Sequence, residues 1–242
     1  MSKLNLKVKA VKTKSKTVCK NNQWGVIPSY LSRTLFVGSS GSGKSNLIYS
    51  LLSEKKFLKN YYDEIYVWSP NHSVDDSIKV LGLPDSHLYE DFDEGFVDEL
   101  YEEALEAKKI HDGFKCKHPR VLFAFDDLVD DPKFTKSQVL KKLFFKGRHP
   151  GITVWIGSQY LKSISKPLRA NAQHIILFKP TKNDIEIINE ELNDTDLDKK
   201  RFSQLVRFAT KNKYDFLNIN RNQMLDKRYM RCFEQYLIPK VE

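Results

Sequence analysis

Cysteine is scarce in this 242-residue chain: Cys19, Cys116 and Cys232 are far apart and odd in number. That excludes a disulfide framework and a zinc-type ligand spacing, and it makes a reducing compartment the expectation. Cys116 and His118 lie near His111, but the group does not have the pattern of a metal site. No apolar run approaches the ~20 residues of a membrane-spanning helix, so no membrane partner is expected. The lysine-rich start lacks the apolar centre of a signal peptide. There is no internal repeat, and no low-complexity segment is long enough to form a separate domain. At this length the chain can bury an ample core as one large α/β domain without staples.

Charge is present in excess and unevenly placed. The formal net charge is +9, and residues 1–22 carry seven lysines and no acid. A basic balance of this kind makes nucleic acid a candidate partner by electrostatics alone, while lysine-rich ends also serve simply as soluble tails. Within the basic start, residues 3–12 alternate Leu4, Leu6, Val8 and Ala10 with polar residues, which suits an edge strand or an ordered arm. Residues 1–30 are accordingly read as a basic arm or edge strand, and 31–242 as one domain. The opposite bias, between Asp85 and Glu106, falls largely on a helix expected over 92–109, where the acids read as a solvated face.

The most informative stretch is Gly38-Ser39-Ser40-Gly41-Ser42-Gly43-Lys44-Ser45, a G-x-x-x-x-G-K-S sequence. The apolar run Thr34-Leu35-Phe36-Val37 precedes it. A helical pattern with Leu47, Ile48, Leu51 and Leu52 on one face follows. Strand, glycine-rich loop and helix are the setting a P-loop requires. Glycines let backbone N–H groups close around phosphates, and the helix N-terminus adds its partial positive charge. Lys44 would reach the β- and γ-phosphates, and the Ser45 hydroxyl would ligate Mg²⁺. These residues predict a nucleoside triphosphate site. An N-K-x-D motif in a position to read guanine is missing, which favours ATP.

Further apolar runs place the remaining chemistry. Val121-Leu122-Phe123-Ala124-Phe125 has the continuous apolar character of a central parallel strand and ends in Asp126-Asp127. In that position Asp126 would hold the metal's hydration shell, and Asp127 would orient or deprotonate the attacking water. A basic helix is expected over 135–146. The strand beginning at Ile152 ends in Ser158-Gln159, and Gln159 can donate to a phosphate while accepting from a water. Strands are also expected over 64–69, 174–179 and 214–219, with helices over 184–192 and 198–210. Strands alternating with helices predict a mainly parallel α/β sheet with helices on both faces and its ligand at the carboxyl edge.

The run Lys146-Gly147-Arg148-His149-Pro150-Gly151-Ile152, leading to Gln159 and then Leu168-Arg169-Ala170-Asn171 before the strand at Ile175, resembles the FtsK–HerA superfamily of P-loop ATPases. The small size is similar to the genome-packaging ATPases of large DNA viruses and virophages, the poxvirus packaging ATPase among them. The resemblance covers roughly residues 30–180. It implies a fold of the additional-strand type and an ATP-driven ring, usually a hexamer, that passes double-stranded DNA through its centre. ATP and Mg²⁺ would be its cofactors and capsid proteins further partners, in a virion or in a viral factory of the host cytoplasm. It also implies an arginine finger reaching a neighbouring subunit, with Arg148 the first candidate and Arg169 the second. The other reading of Arg148 is a helix C-terminal cation that satisfies carbonyls. Lys133 and Lys136 are candidate pore residues. Where many relatives carry Glu after the metal-binding Asp, this chain has the shorter Asp127. Motor chemistry of this type would equally serve DNA transfer between cells or from a plasmid. Two other classes use the same loop: a nucleoside or nucleotide kinase, and a non-enzymatic nucleotide switch.

Overall fold

The run 121–125 becomes the interior of a nine-stranded sheet. The computed structural model describes residues 26–28, 30–73, 75–114 and 118–238, so the alternating stretch 3–12 lies outside the described residues, as does most of the arm 1–30. In chain order the strands are β1 (Arg33–Val37), β2 (Glu64–Trp68), β3 (Leu88–Tyr89), β4 (Val121–Asp126), β5 (Ile152–Ser158), β6 (His174–Phe178), β7 (Phe216–Asn220), β8 (Tyr229–Arg231) and β9 (Gln235–Tyr236). Across the sheet they run β3-β2-β4-β5-β1-β6-β7-β8-β9. Pairing is parallel from β3 through β6 and antiparallel from β6 to β9. Strand β5 therefore separates the phosphate-loop strand β1 from the acid-bearing strand β4, which is the additional-strand arrangement expected from the sequence.

Helices cover both faces, because side chains along a buried strand alternate between them. On one face Phe36, Leu122, Ala124, Trp155 and Ile176 pack with Ile48, Leu51 and Leu52 of α1 (Lys44–Ser53). On the other, Leu35, Phe123, Phe125, Val154, Ile156 and Ile175 meet α2 (Glu94–Phe114), α4 (Gln138–Lys146) and α7 (Lys199–Ala209). The remaining α-helices of the described chain are α3 (Pro132–Lys136), α5 (Lys166–Asn171), α6 (Lys182–Glu191) and α8 (Leu225–Arg228).

Three expectations shift. The single helix expected over 135–146 is two, because Ser137 takes an extended ψ of 133° that ends α3. The Ser137 hydroxyl then caps α4 by accepting from Leu140 N at 3.0 Å. The helix expected over 92–109 begins at Glu94 and continues to Phe114. Its acids are not merely solvated, since Glu94 accepts from Ser137 Oγ, Gln138 N and Val139 N, and Asp98 and Glu102 both bind Lys142. Finally, the strand expected over 214–219 starts at Phe216, because Tyr214 adopts a left-handed φ of 70°, and it runs antiparallel to β6.

Candidate active site at the carboxyl edge of the sheet

The phosphate loop leaves β1 at Gly38, whose N–H donates to Ser158 O on β5 at 3.0 Å. Gly41 and Gly43 take φ of 71° and 100°. Those left-handed turns let the loop reverse into α1, where Leu47 N bonds Gly43 O at 2.9 Å. Ser39, Ser40 and Gly41 stand exposed at the tip, while Ser42 and Ser45 are half-buried. Lys44 is only 4% exposed, and its Nζ lies 3.4 Å from Asp127 Oδ1. The ammonium that would meet phosphate is thus held by the second aspartate.

Asp126 ends β4 in register with Gly157 of β5. A side chain on Gly157 would collide with Asp126 Oδ1, so the glycine makes room for the carboxylate. Asp126 is 3% exposed and lies beside Ser45, and Tyr49 Oη donates to its Oδ2 at 3.4 Å. Burial pushes its pKa up to about 6, helped by the neighbouring Asp127 charge and opposed by Ser45, Lys44 and Tyr49. Its Oδ1 is buried with no hydrogen-bond partner. A bare carboxylate oxygen beside a serine hydroxyl is an oxygen donor set that fits a hard divalent cation such as Mg²⁺. Asp127 has a left-handed φ of 57°, uncommon for a residue with a side chain, and its N–H donates to Gly157 O at 3.2 Å. Gln159 follows β5 and is half-buried between the two flanking strands. Lys44, Ser45, Asp126, Asp127 and Gln159 thus meet at one edge.

The two arginines do not join them. Arg148 precedes β5, so it stands at the opposite edge of the sheet, about 20 Å away at ~3.3 Å per strand residue. It is exposed and forms no hydrogen bond or ion pair among the described residues. Making no hydrogen bond, it caps no carbonyl of α4 either; the carbonyl of Phe144 is taken by Arg33 Nε at 2.9 Å. Burial and the nearby Arg148 charge lower the Arg33 pKa to about 10. Arg169 is buried within the chain, paired with Glu191 at 2.7 Å and donating to the carbonyls of Ile164 and Leu161. It is a structural cation. Lys133 and Lys136 are exposed on α3, which follows β4 on the active-site side.

A model of the Poxvirus A32 protein family matches residues 29–236. The chain belongs to that family. This bears out the resemblance to FtsK–HerA-type packaging ATPases carried by the K-G-R turn and Gln159. A curated relative, "Uncharacterized protein 015R" of Frog virus 3 (isolate Goorha), is 27% identical over 148 residues, 61% of this chain. The chain spans 44% of the length of that relative. Among solved structures, B204, the DNA-packaging ATPase from Sulfolobus Turreted Icosahedral Virus, matches with TM-score 0.59 and 18% identity over 83% of this chain and 96% of that one. B204 of Sulfolobus turreted icosahedral virus 2 in complex with ATP-gammaS matches with TM-score 0.55 and 16% identity over 86% and 98%. EssC (ATPases 2 and 3) from Geobacillus thermodenitrificans matches with TM-score 0.57 and 18% identity over 89% and 42%. At these identities the likeness establishes the fold.

In this A32-family chain the sequence motifs leave part of the site unread. Tyr49 and Gly157 shape the Asp126 pocket, and each follows from a position: Tyr49 lies one helical turn beyond Ser45, and Gly157 is the β5 residue opposite Asp126. The segment 211–215, between α7 and β7, stands against the phosphate loop, with Tyr214 packed on Gly43. It carries no motif, because its place depends on the antiparallel return of β7.

Proposed function

We propose that this chain is an ATP-hydrolysing motor that moves double-stranded DNA into a viral capsid as a ring of identical subunits. The observation that carries the reading is the meeting of Lys44, Ser45, Asp126, Asp127 and Gln159 where β1, β4 and β5 end side by side. Backbone N–H groups of the phosphate loop and Lys44 would bind the β- and γ-phosphates. Lys44 must then exchange Asp127 for phosphate, which releases the Asp127 carboxylate to accept a proton from water. Gln159, from the strand between, would orient that water. Ser45 and Asp126 would hold Mg²⁺, which supplies charge neutralisation on the phosphate oxygens when bound. A short Asp127 suits this arrangement, because its left-handed backbone already turns the carboxylate toward Lys44.

Arg148 cannot serve the site of its own subunit from the opposite sheet edge. It can serve a neighbour's in a head-to-tail ring, whose heterologous contacts join unlike surfaces. With Arg169 tied to Glu191, Arg148 is the arginine-finger candidate that this geometry favours. The same tie weakens the kinase reading, which needs phosphate-binding arginines on a lid. Lys133 and Lys136 would track DNA phosphates in the pore without reading sequence. The arm 1–30 would hold DNA or a capsid protein ahead of the ATPase domain 31–242. Among the described residues no helix is long and apolar enough to cross a membrane. The proposed place of action is the virion or a viral factory in the host cytoplasm.

The test is the steady-state ATPase rate with and without long double-stranded DNA. DNA should stimulate the wild type, and Lys44→Ala and Arg148→Ala should each be inactive. Mixing the two variants should restore part of the rate, since a Lys44→Ala subunit still offers Arg148 to an intact neighbouring site. Loss from a finger is worth ~10³–10⁵ in rate. An Arg148→Ala protein that keeps full DNA-stimulated activity would remove the trans role, and stimulation by a nucleoside acceptor in place of DNA would turn the reading to a kinase.

A further inference from the structure

Between the phosphate loop and the segment 211–215 lies a cavity of about 250 Å³, floored by Phe178 and Lys179. Tyr214 forms its side wall. This tyrosine is 57% exposed and left-handed at φ 70°, a conformation that disfavours a bulky side chain and here secures no core packing. Its ring Cδ1 lies 3.2 Å from the position a Cβ on Gly43 would occupy, so the ring sits directly against the glycine that starts α1.

The loop that presents Tyr214 is anchored from behind. Asp215 Oδ2 accepts from Arg231 Nη2 at 2.7 Å and from Asn212 N at 3.1 Å, and Asp215 N returns a bond to Asn212 O at 3.2 Å. Phe216, the next residue, packs its ring on Phe178 and Phe233 at centroid separations of 5.4 and 4.9 Å. An exposed aromatic on a strained but braced turn, facing a cavity beside a phosphate site, matches the outlier-to-function pattern expected of a ligand clamp.

We infer that this cavity is the base subsite of the nucleotide, with the base stacked on Tyr214 and the phosphates running from it into the loop 38–45. The inference rests on the nucleotide-binding reading of that loop. Lys213 Nζ now stands 4.8 Å from the Tyr214 ring centroid, and its flexible stem lets it leave the ring for a nucleotide oxygen when a base enters. The acid lining the cavity, Asp215, turns its oxygens to Arg231, Asn212 N and Cys232 Sγ, so the charged groups left facing a base beside the Tyr214 ring are Lys179, Lys211 and Lys213.

The experiment is calorimetric titration of the full chain with ADP and, separately, with tripolyphosphate, which has no base. Tyr214→Ala should weaken ADP by about 5- to 150-fold, the range of a lost aromatic–base stack, and leave tripolyphosphate unchanged. Tyr214→Phe should keep wild-type ADP affinity. Undiminished ADP binding by Tyr214→Ala overturns the inference. Equal loss of ADP and tripolyphosphate also overturns it, by showing that Tyr214 only braces Gly43. A wild type that binds neither ligand would instead refute the nucleotide reading.

Discussion

At the scale of single residues, the site is built around one carboxylate that the fold places at a cost. Asp126 is buried, its burial opposes ionisation, and Gly157 provides the space that its Oδ1 occupies. Gly157→Ala should therefore displace the carboxylate while leaving the phosphate loop intact. The expected outcome is a fall of about 10²-fold in ATP turnover, the usual consequence of a displacement near 1 Å, with ADP binding in the absence of metal unchanged. A second buried group makes the fold sensitive to acid. His174 opens β6 fully enclosed, with its Nδ1 unpartnered beside Asn218, and burial lowers its pKa to about 4. Below its ordinary pKa of 6.5 the unfolded chain binds a proton that the folded chain refuses, so this contribution to stability is present above pH 6.5 and is lost as pH falls toward 4. His174→Gln should flatten the decline of the urea midpoint between those pH values, compared with wild type. An unchanged decline would assign it to other groups.

At the scale of elements, what the sequence reveals follows from how local each signal is. The phosphate loop, β4 and β5 are legible because their chemistry sits at strand tips next to uninterrupted apolar runs. The break at Ser137 is less so, since 135–146 keeps one helical periodicity across both helices. Its signal is polar and local: Asp131-Pro132 opens α3 and Ser137 caps α4. The reach of Glu94 from α2 to that cap, and of Tyr214 to Gly43, joins residues remote in the chain, and no periodicity encodes it. The role of Arg33 was hidden for the same reason, because the carbonyl it satisfies belongs to α4. Ser137→Ala tests the junction. Losing an N-cap costs about 1 kcal/mol, and Glu94 also loses one of its three donors. The urea midpoint should fall with an unchanged m-value, and Ser137→Asp, which restores an N-cap acceptor at α4 but stands against Glu94, should recover only part of the loss.

At the scale of the whole molecule, the sheet separates two faces of the proposed ring. Its carboxyl edge carries the proposed ATP site and, on α3, Lys133 and Lys136; its amino edge carries Arg148. Lys55 and Lys56, which follow α1 toward that far edge, are also exposed, Lys56 beside Glu54 at 3.0 Å, and supply a control of equal charge. Each phosphate neutralised by a protein cation contributes about −0.9 to the slope of log K against log salt concentration for duplex DNA. If both α3 lysines contact phosphate, Lys133→Ala with Lys136→Ala should make the measured slope shallower by about 1.8, whatever the DNA sequence. Lys55→Ala with Lys56→Ala removes the same charge from the molecule. Fluorescence anisotropy of a labelled duplex across a salt series separates the two accounts: a shallower slope in the α3 pair alone places DNA against α3, whereas equal change in both pairs reduces the effect to net charge and removes α3 from the pore.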